Sequence, residues 1–135
     1  MILKSREIIT LSIFICCCLI FLPKASAFEI KKVTSTNGIK AWLVEDHKNP
    51  LITLQFVAKG GASADPKDKN GLAYLVSGLL DEGAGDLDSE SFQALLEKNS
   101  ISLSFNARMD TFSGTLTTLT ETKKEAFRSL RLALT

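Results

Sequence analysis

The chain has 135 residues, and its 16 Lys and Arg against 15 Asp and Glu give a formal net charge of +1. The charges are nearly balanced, and the sequence has no polybasic patch. Both features disfavour nucleic acid and anionic membrane surfaces as partners. The length suffices for one small domain.

The first 27 residues have the pattern of a secretory signal peptide. Lys4 and Arg6 give a basic start, residues 8–22 form an apolar run, and Ala25 and Ala27 fit a signal peptidase cleavage site. The run is shorter than the roughly 20 apolar residues of a membrane span, so a cleaved leader is favoured over a retained anchor. We therefore expect export to the bacterial periplasm or beyond the cell, with no stable membrane anchor.

The three cysteines lie side by side inside this leader, at Cys16, Cys17 and Cys18. Cleavage would leave a mature chain, beginning at Phe28, with no disulfide and no thiolate metal site. A lipoprotein signal would place a small residue before the modified cysteine, whereas Ile15 stands there, so lipidation is disfavoured.

Three strands are predicted next. Residues 28–35 and 39–45 flank an Asn-Gly turn, which is the strongest short hairpin signal, and residues 51–59 alternate apolar and polar side chains. His47, the only histidine, lies in the polar connection between the second and third of these strands. A solvated side chain is favoured there over a zinc ligand.

Residues 70–85, NGLAYLVSGLLDEGAG, predict the helix around which the other elements are organised, with Asn70 as its N-cap and a Gly-rich end. Its large apolar residues recur at helical spacing, which predicts a buried stripe: Leu72, Leu75, Val76, Leu79 and Leu80. The opposite face would carry Tyr74, Ser77, Gly78 and Asp81.

The remaining chain predicts a second helix up to Lys98, a hairpin of residues 101–108 and 111–119, and a helix over residues 122–135. Asp88 and Ser89 are the candidate caps of the second helix, and paired acids such as Asp81 and Glu82 are interpreted as solvated charge. The last helix would carry Phe127, Leu130 and Leu134 on one apolar stripe, which we expect to be poorly buried in this chain. The order βββααββα predicts an α+β fold, with a mostly antiparallel sheet and helices on one face.

The run from Lys59 to Gly85 resembles the N-terminal domain of the insulinase/pitrilysin-type zinc metallopeptidases. In that family a Gly-Ser or Gly-Gly turn and an Asp/Glu-x-Pro element precede a helix reading G-x-A-H-x-x-E-H. This chain has residues of the frame at Gly60, Gly61, Asp65, Pro66, Gly71, Ala73 and Gly83. The resemblance implies that residues 28–135 form a partial N-terminal metallopeptidase-like domain, an α/β roll.

In the family, the two histidines of that helix bind Zn²⁺ and the glutamate between them activates the metal-bound water. Laid on this sequence, the three positions are Tyr74, Ser77 and Gly78, and none of them supplies an imidazole or a carboxylate. The family's distal Glu ligand would fall beyond Thr135. The resemblance therefore implies a homologue without catalysis, zinc or another cofactor.

Two interpretations of the Tyr74, Ser77 and Gly78 face remain open: an ordinary polar face, or a surface that contacts substrate or a partner. By the resemblance alone, Ser104, Asn106 and Arg108 join it as candidate residues of a cleft wall that binds extended peptides. The leading hypothesis is a catalytically inactive, exported subunit that forms a heterodimer with an active zinc metallopeptidase homologue. The alternatives are a stand-alone peptide-binding or scaffold protein, and a non-functional fragment of a metalloendopeptidase.

Overall fold

A computed structural model describes residues 28–135 of the chain. The signal peptide interpretation falls on residues 1–27 and so lies outside the described residues. The chain divides into two compact units, with the division between Asp46 and His47.

The described part of the first unit is one antiparallel hairpin. Strand β1 is Ile30–Thr34 and strand β2 is Lys40–Val44, with Ile30 opposite Val44. The turn between them closes through a 3.0 Å hydrogen bond from the Gly38 N–H to the Ser35 carbonyl. Gly38 has a φ of 83°, a left-handed conformation that costs glycine nothing. The predicted Asn-Gly hairpin is confirmed, with strands shorter than expected.

The second unit is built on a three-stranded antiparallel sheet. Its strands are β3 (Leu51–Lys59), β4 (Ser102–Ala107) and β5 (Thr111–Leu119), in the spatial order β3-β5-β4. The alternation predicted for β3 is confirmed, because Ile52, Leu54 and Phe56 are half-buried while their neighbours in the strand are exposed.

Two longer helices cover the apolar side of this sheet. Helix α1, Leu72–Ser77, is short; the longer ones are helix α2, Ser89–Lys98, and helix α3, Lys123–Leu134. The core contains residues from both helices and all three strands, fully or partly buried: Leu54, Phe56, Phe92, Leu96, Ile101, Leu103, Phe105, Leu116, Ala126, Leu130 and Ala133. The predicted α+β class and its order of elements are confirmed.

The first turn of α2 is capped as predicted. The Asp88 side chain accepts a 2.9 Å hydrogen bond from the Ser91 backbone N–H. Hydrogen bonds from the Ser91 side chain and backbone hold the pKa of Asp88 below its ordinary value, because they stabilise the ionised carboxylate. The cap fixes where α2 begins and hence which of its residues, Phe92 and Leu96, enter the core.

The apolar stripe predicted for α3 is poorly buried, as expected, except at Leu130. Leu130 is buried, but Phe127 and Leu134 are exposed. The buried face consists of small residues at helical spacing around Leu130: Ala126, Ser129 and Ala133. Small side chains allow a helix axis to approach its neighbours closely, so the face of α3 that packs is not the face with the largest side chains.

Candidate functional site

The loop before α1 is tied to the turn between β4 and β5. The Ala62 N–H donates to the Arg108 carbonyl at 2.9 Å, and the Ser63 N–H donates to the Met109 carbonyl at 2.8 Å. Gly61 is buried between them with a φ of 122°. These contacts hold the short 3₁₀ helix Ala62–Ala64 beside Arg108, one of the predicted cleft residues.

Helix α1 is Leu72–Ser77, so the helix predicted over residues 70–85 is much shorter than expected. Its N-cap is Gly71, with a φ of 91° and no side-chain cap of its own, and the prediction of Asn70 as the cap is wrong. Asp65 performs that role from the preceding loop: its two carboxylate oxygens accept hydrogen bonds from the Gly71 N–H at 2.7 Å and the Ala73 N–H at 2.9 Å. A carboxylate at this end of a helix is favoured by the unpaired N–H groups and the helix dipole.

The end of α1 lies at Gly78 rather than at the Gly-rich segment near Gly85. The Gly78 N–H is shared between the carbonyls of Tyr74 and Leu75, at 3.2 Å each, and the chain then continues in turns through Glu82. Such a shared bond is typical of a terminating helical turn. Gly78 therefore ends the helix, which accounts for a residue that would be costly in a helix interior.

The predicted buried stripe is exposed. Leu75 has 58% of its surface exposed, and the other residues of what we call the apolar stripe are also exposed: Leu72, Val76 and Leu79. Leu80, the fifth residue of that prediction, is half-buried. Helix α1 packs instead against β4 and the 3₁₀ helix, and its buried residue is Ser77. Periodicity identified the apolar face correctly but not the side that the protein covers.

Tyr74 and Ser77, which were predicted to share a polar face, have different environments. Tyr74 is 72% exposed, whereas Ser77 is 5% exposed and its hydroxyl donates to the Tyr74 carbonyl at 2.8 Å. The Ser77 side chain is thus enclosed and bonded to the main chain. Tyr74 and Gly78 are the exposed members of this predicted surface.

The candidate residues on the sheet lie next to this helix. Ser104 and Asn106 are exposed on β4, against which α1 packs, and Arg108 is exposed in the turn that follows. The Asn106 carbonyl accepts a 3.3 Å hydrogen bond from the Ser113 hydroxyl of β5. In the described sheet β4 pairs only with β5, so its other edge carries main-chain groups available for pairing. A role of Ser104, Asn106 and Arg108 in binding peptides remains a prediction.

The residues at the predicted motif positions do not fit a zinc ion. Gly78 has no side chain, and the Ser77 hydroxyl donates to a main-chain carbonyl. The Tyr74 phenol is a poor zinc ligand compared with histidine, cysteine or a carboxylate. Across residues 28–135, His, Cys, Asp and Glu side chains form no group of three or more that could hold a metal ion. No helix in the same range is long and apolar enough to cross a membrane.

Comparison with known proteins gives one curated relative and several solved folds. No family model matches the chain. Over 87 residues it is 33% identical to the "Non-peptidase homolog YmxG" of Helicobacter pylori (strain ATCC 700392 / 26695), a match that covers 64% of this chain and 20% of the relative.

Three solved structures share the fold. The peptidase M16 inactive domain from Pseudomonas fluorescens has a TM-score of 0.70 at 20% identity, covering 78% of this chain and 26% of that one. The periplasmic protease PqqL from Escherichia coli has a TM-score of 0.68 at 17% identity, covering 82% and 13% of the two chains. Pitrilysin has a TM-score of 0.67 at 18% identity, covering 82% and 12%.

The chain therefore has the fold of the M16 peptidases, and its predicted resemblance to the insulinase/pitrilysin-type family is confirmed. It spans between 12% and 26% of the length of these relatives.

Proposed function

We propose that this chain is a non-catalytic M16 homologue that acts as the partner subunit of an exported, zinc-bearing homologue and contributes surface to its peptide-binding chamber. The absence of catalysis is supported by the names of two relatives, a non-peptidase homolog and an inactive domain. It is also supported by Tyr74, Ser77 and Gly78 at the positions that the resemblance gives to the zinc ligands and the base.

The observation that carries the proposal is the exposed apolar stripe. Leu72, Leu75 and Val76 on α1 and Leu79 in the turn that follows it present large exposed aliphatic side chains, and the exposed Tyr74 ring also lies on α1. Contiguous apolar surface of this kind marks protein interaction sites, and tyrosine is enriched in interface cores. Because α1 is also the helix of the motif positions, a partner bound there would lie next to the predicted peptide surface.

The unpaired edge of β4 is the proposed peptide contact. An extended peptide can add to such an edge through main-chain hydrogen bonds, while exposed side chains such as Ser104 and Asn106 set which residues are accepted. Because the main-chain hydrogen bonds supply the affinity, peptides of different sequence can share this mode, which suits a chamber wall.

The partnership is tested by purifying the chain alone and together with an exported homologue that carries the intact motif. Alone, the chain should contain no stoichiometric Zn²⁺ by elemental analysis and cleave no peptide. The pair should co-purify and cleave peptides that neither protein cleaves efficiently by itself. Near-equimolar zinc in this chain would contradict the absence of a metal site. A zinc-bearing homologue that is fully active alone, with no binding at micromolar concentration, would favour the stand-alone binding protein.

Export is part of the proposal and rests on the pattern of residues 1–27. N-terminal sequencing of the protein from its native host should find Phe28 as the first residue, in a fraction outside the cytoplasm. Recovery of a form that retains Met1 in the membrane fraction would instead indicate an uncleaved anchor.

A further inference from the structure

The chain contains the dipeptide Asn-Gly twice, at Asn37-Gly38 and at Asn70-Gly71. This dipeptide is the most prone to deamidation, because glycine leaves the following backbone nitrogen sterically open to the asparagine side chain. The two copies have the same local chemistry, so any difference in their reactivity comes from the structure around them.

We propose that Asn37 is a site of spontaneous isoaspartate formation and that Asp65 protects Asn70 from the same reaction. In the reaction, the backbone nitrogen of the glycine loses its proton to water or hydroxide and attacks the side-chain carbonyl carbon of the asparagine. A C–N bond forms, ammonia leaves, and a succinimide results. Water then opens the succinimide at either carbonyl, giving aspartate or isoaspartate.

The nucleophile at the second site is held by a carboxylate. The Gly71 N–H donates to Asp65 Oδ2 at 2.7 Å, and the other carboxylate oxygen binds the Ala73 N–H in the first turn of α1. Hydrogen bonds to an ionised acceptor are roughly twice as strong as neutral ones. Attack by the Gly71 nitrogen would require both this bond and the start of the helix to open.

Among the described residues, the Gly38 nitrogen at the first site is held by a hydrogen bond within the hairpin turn. The Gly38 N–H donates to the Ser35 carbonyl at 3.0 Å, and every residue of β1 and β2 is exposed. A two-stranded hairpin whose side chains are exposed gains little stability from packing, so this turn opens at little cost in free energy. Asn37 should therefore react at close to the rate of an unfolded chain.

Isoaspartate at position 37 would change the hairpin in two ways. It inserts an additional methylene into the main chain of the turn, which disturbs the pairing of Thr34 with Lys40. It also adds a negative charge where the sequence has a neutral amide. The modification would thus weaken the β1–β2 pairing.

The test is incubation of the full chain at mildly alkaline pH, followed by trypsin digestion, chromatography that separates aspartyl from isoaspartyl peptides, and mass spectrometry that detects conversion of the side-chain amide to a carboxylate. The peptides of residues 33–40 and 70–98 report the two sites separately. A parallel incubation in denaturant gives the rate of each site without structure. We expect Asn37 to react at nearly its denatured rate and Asn70 to be slowed on the order of tenfold or more.

The Asp65→Ala variant tests the protecting group directly. It should raise the rate at Asn70 towards the denatured value and leave the rate at Asn37 unchanged, so Asn37 is the internal control. Equal rates at the two sites of the folded wild-type chain would overturn the proposal. So would an unmodified Asn37 after the denatured sample has reacted completely.

Discussion

The Gly61→Ala substitution should destabilise the unit of residues 47–135 by about 3 kcal/mol or more, because it combines backbone strain with a steric clash. A Cβ atom at this position would lie 2.9 Å from the Thr111 carbonyl oxygen and 3.0 Å from that of Met109, and closer still to that of Arg108. All three obstacles are backbone atoms, which cannot rotate away as a flexible side chain would. The φ of 122° adds a conformation that alanine rarely adopts.

Gly60→Ala is the matched control for this prediction. Gly60 also has a positive φ, 134°, but a Cβ there would meet no atom within 4 Å. Gly60→Ala should therefore lower the free energy of unfolding by about 1–3 kcal/mol, from backbone strain alone. Urea unfolding of the two variants and the wild type measures both losses, and their difference isolates the cost of the clash. Equal losses would show that the turn of residues 108–111 moves aside without penalty.

The sequence predicted strands and caps well wherever the determining interaction is local. Strand β5, Thr111–Leu119, has the predicted bounds, and β3 alternates as expected because neighbouring side chains in a strand point to opposite faces. The Asp88 cap of α2 is set within three residues, by its bond to Ser91. Such features need no knowledge of the rest of the fold.

The organising helix was predicted less well because its limits are set from a distance. Asp65 caps the helix from several residues upstream, across a loop whose own position depends on the turn of residues 108–111. Helical periodicity is unchanged whether an apolar face is covered or exposed, so it could not reveal that Leu75 is exposed and Ser77 buried. Tyr74 and Gly78 are candidate site residues by resemblance alone, and the enclosure of Ser77 could be found only from the structure.

The Leu75→Asp substitution should weaken binding of the proposed zinc-bearing partner on the order of 30-fold or more, without loss of folding stability. Leu75 is the most exposed residue of the apolar stripe, so a charge there is solvated in the free chain. In a complex that covers the stripe, the same carboxylate would be buried without a counter-charge, and a buried unpaired charge is strongly unfavourable. The difference between the two states is the predicted loss of affinity.

Leu134→Asp is the control, because Leu134 is an exposed leucine on a different helix, α3. Titration of each variant with the partner gives the affinity, and urea unfolding of the free variants shows whether either is destabilised. We expect a large loss of affinity for Leu75→Asp and a small one for Leu134→Asp. An unchanged affinity for Leu75→Asp would exclude the apolar stripe from the contact. The exposed stripe would then no longer support the partner proposal. Equal losses for the two variants would point to a nonspecific effect of added negative charge, because a complex that covers only the stripe leaves the carboxylate of Leu134→Asp in solvent.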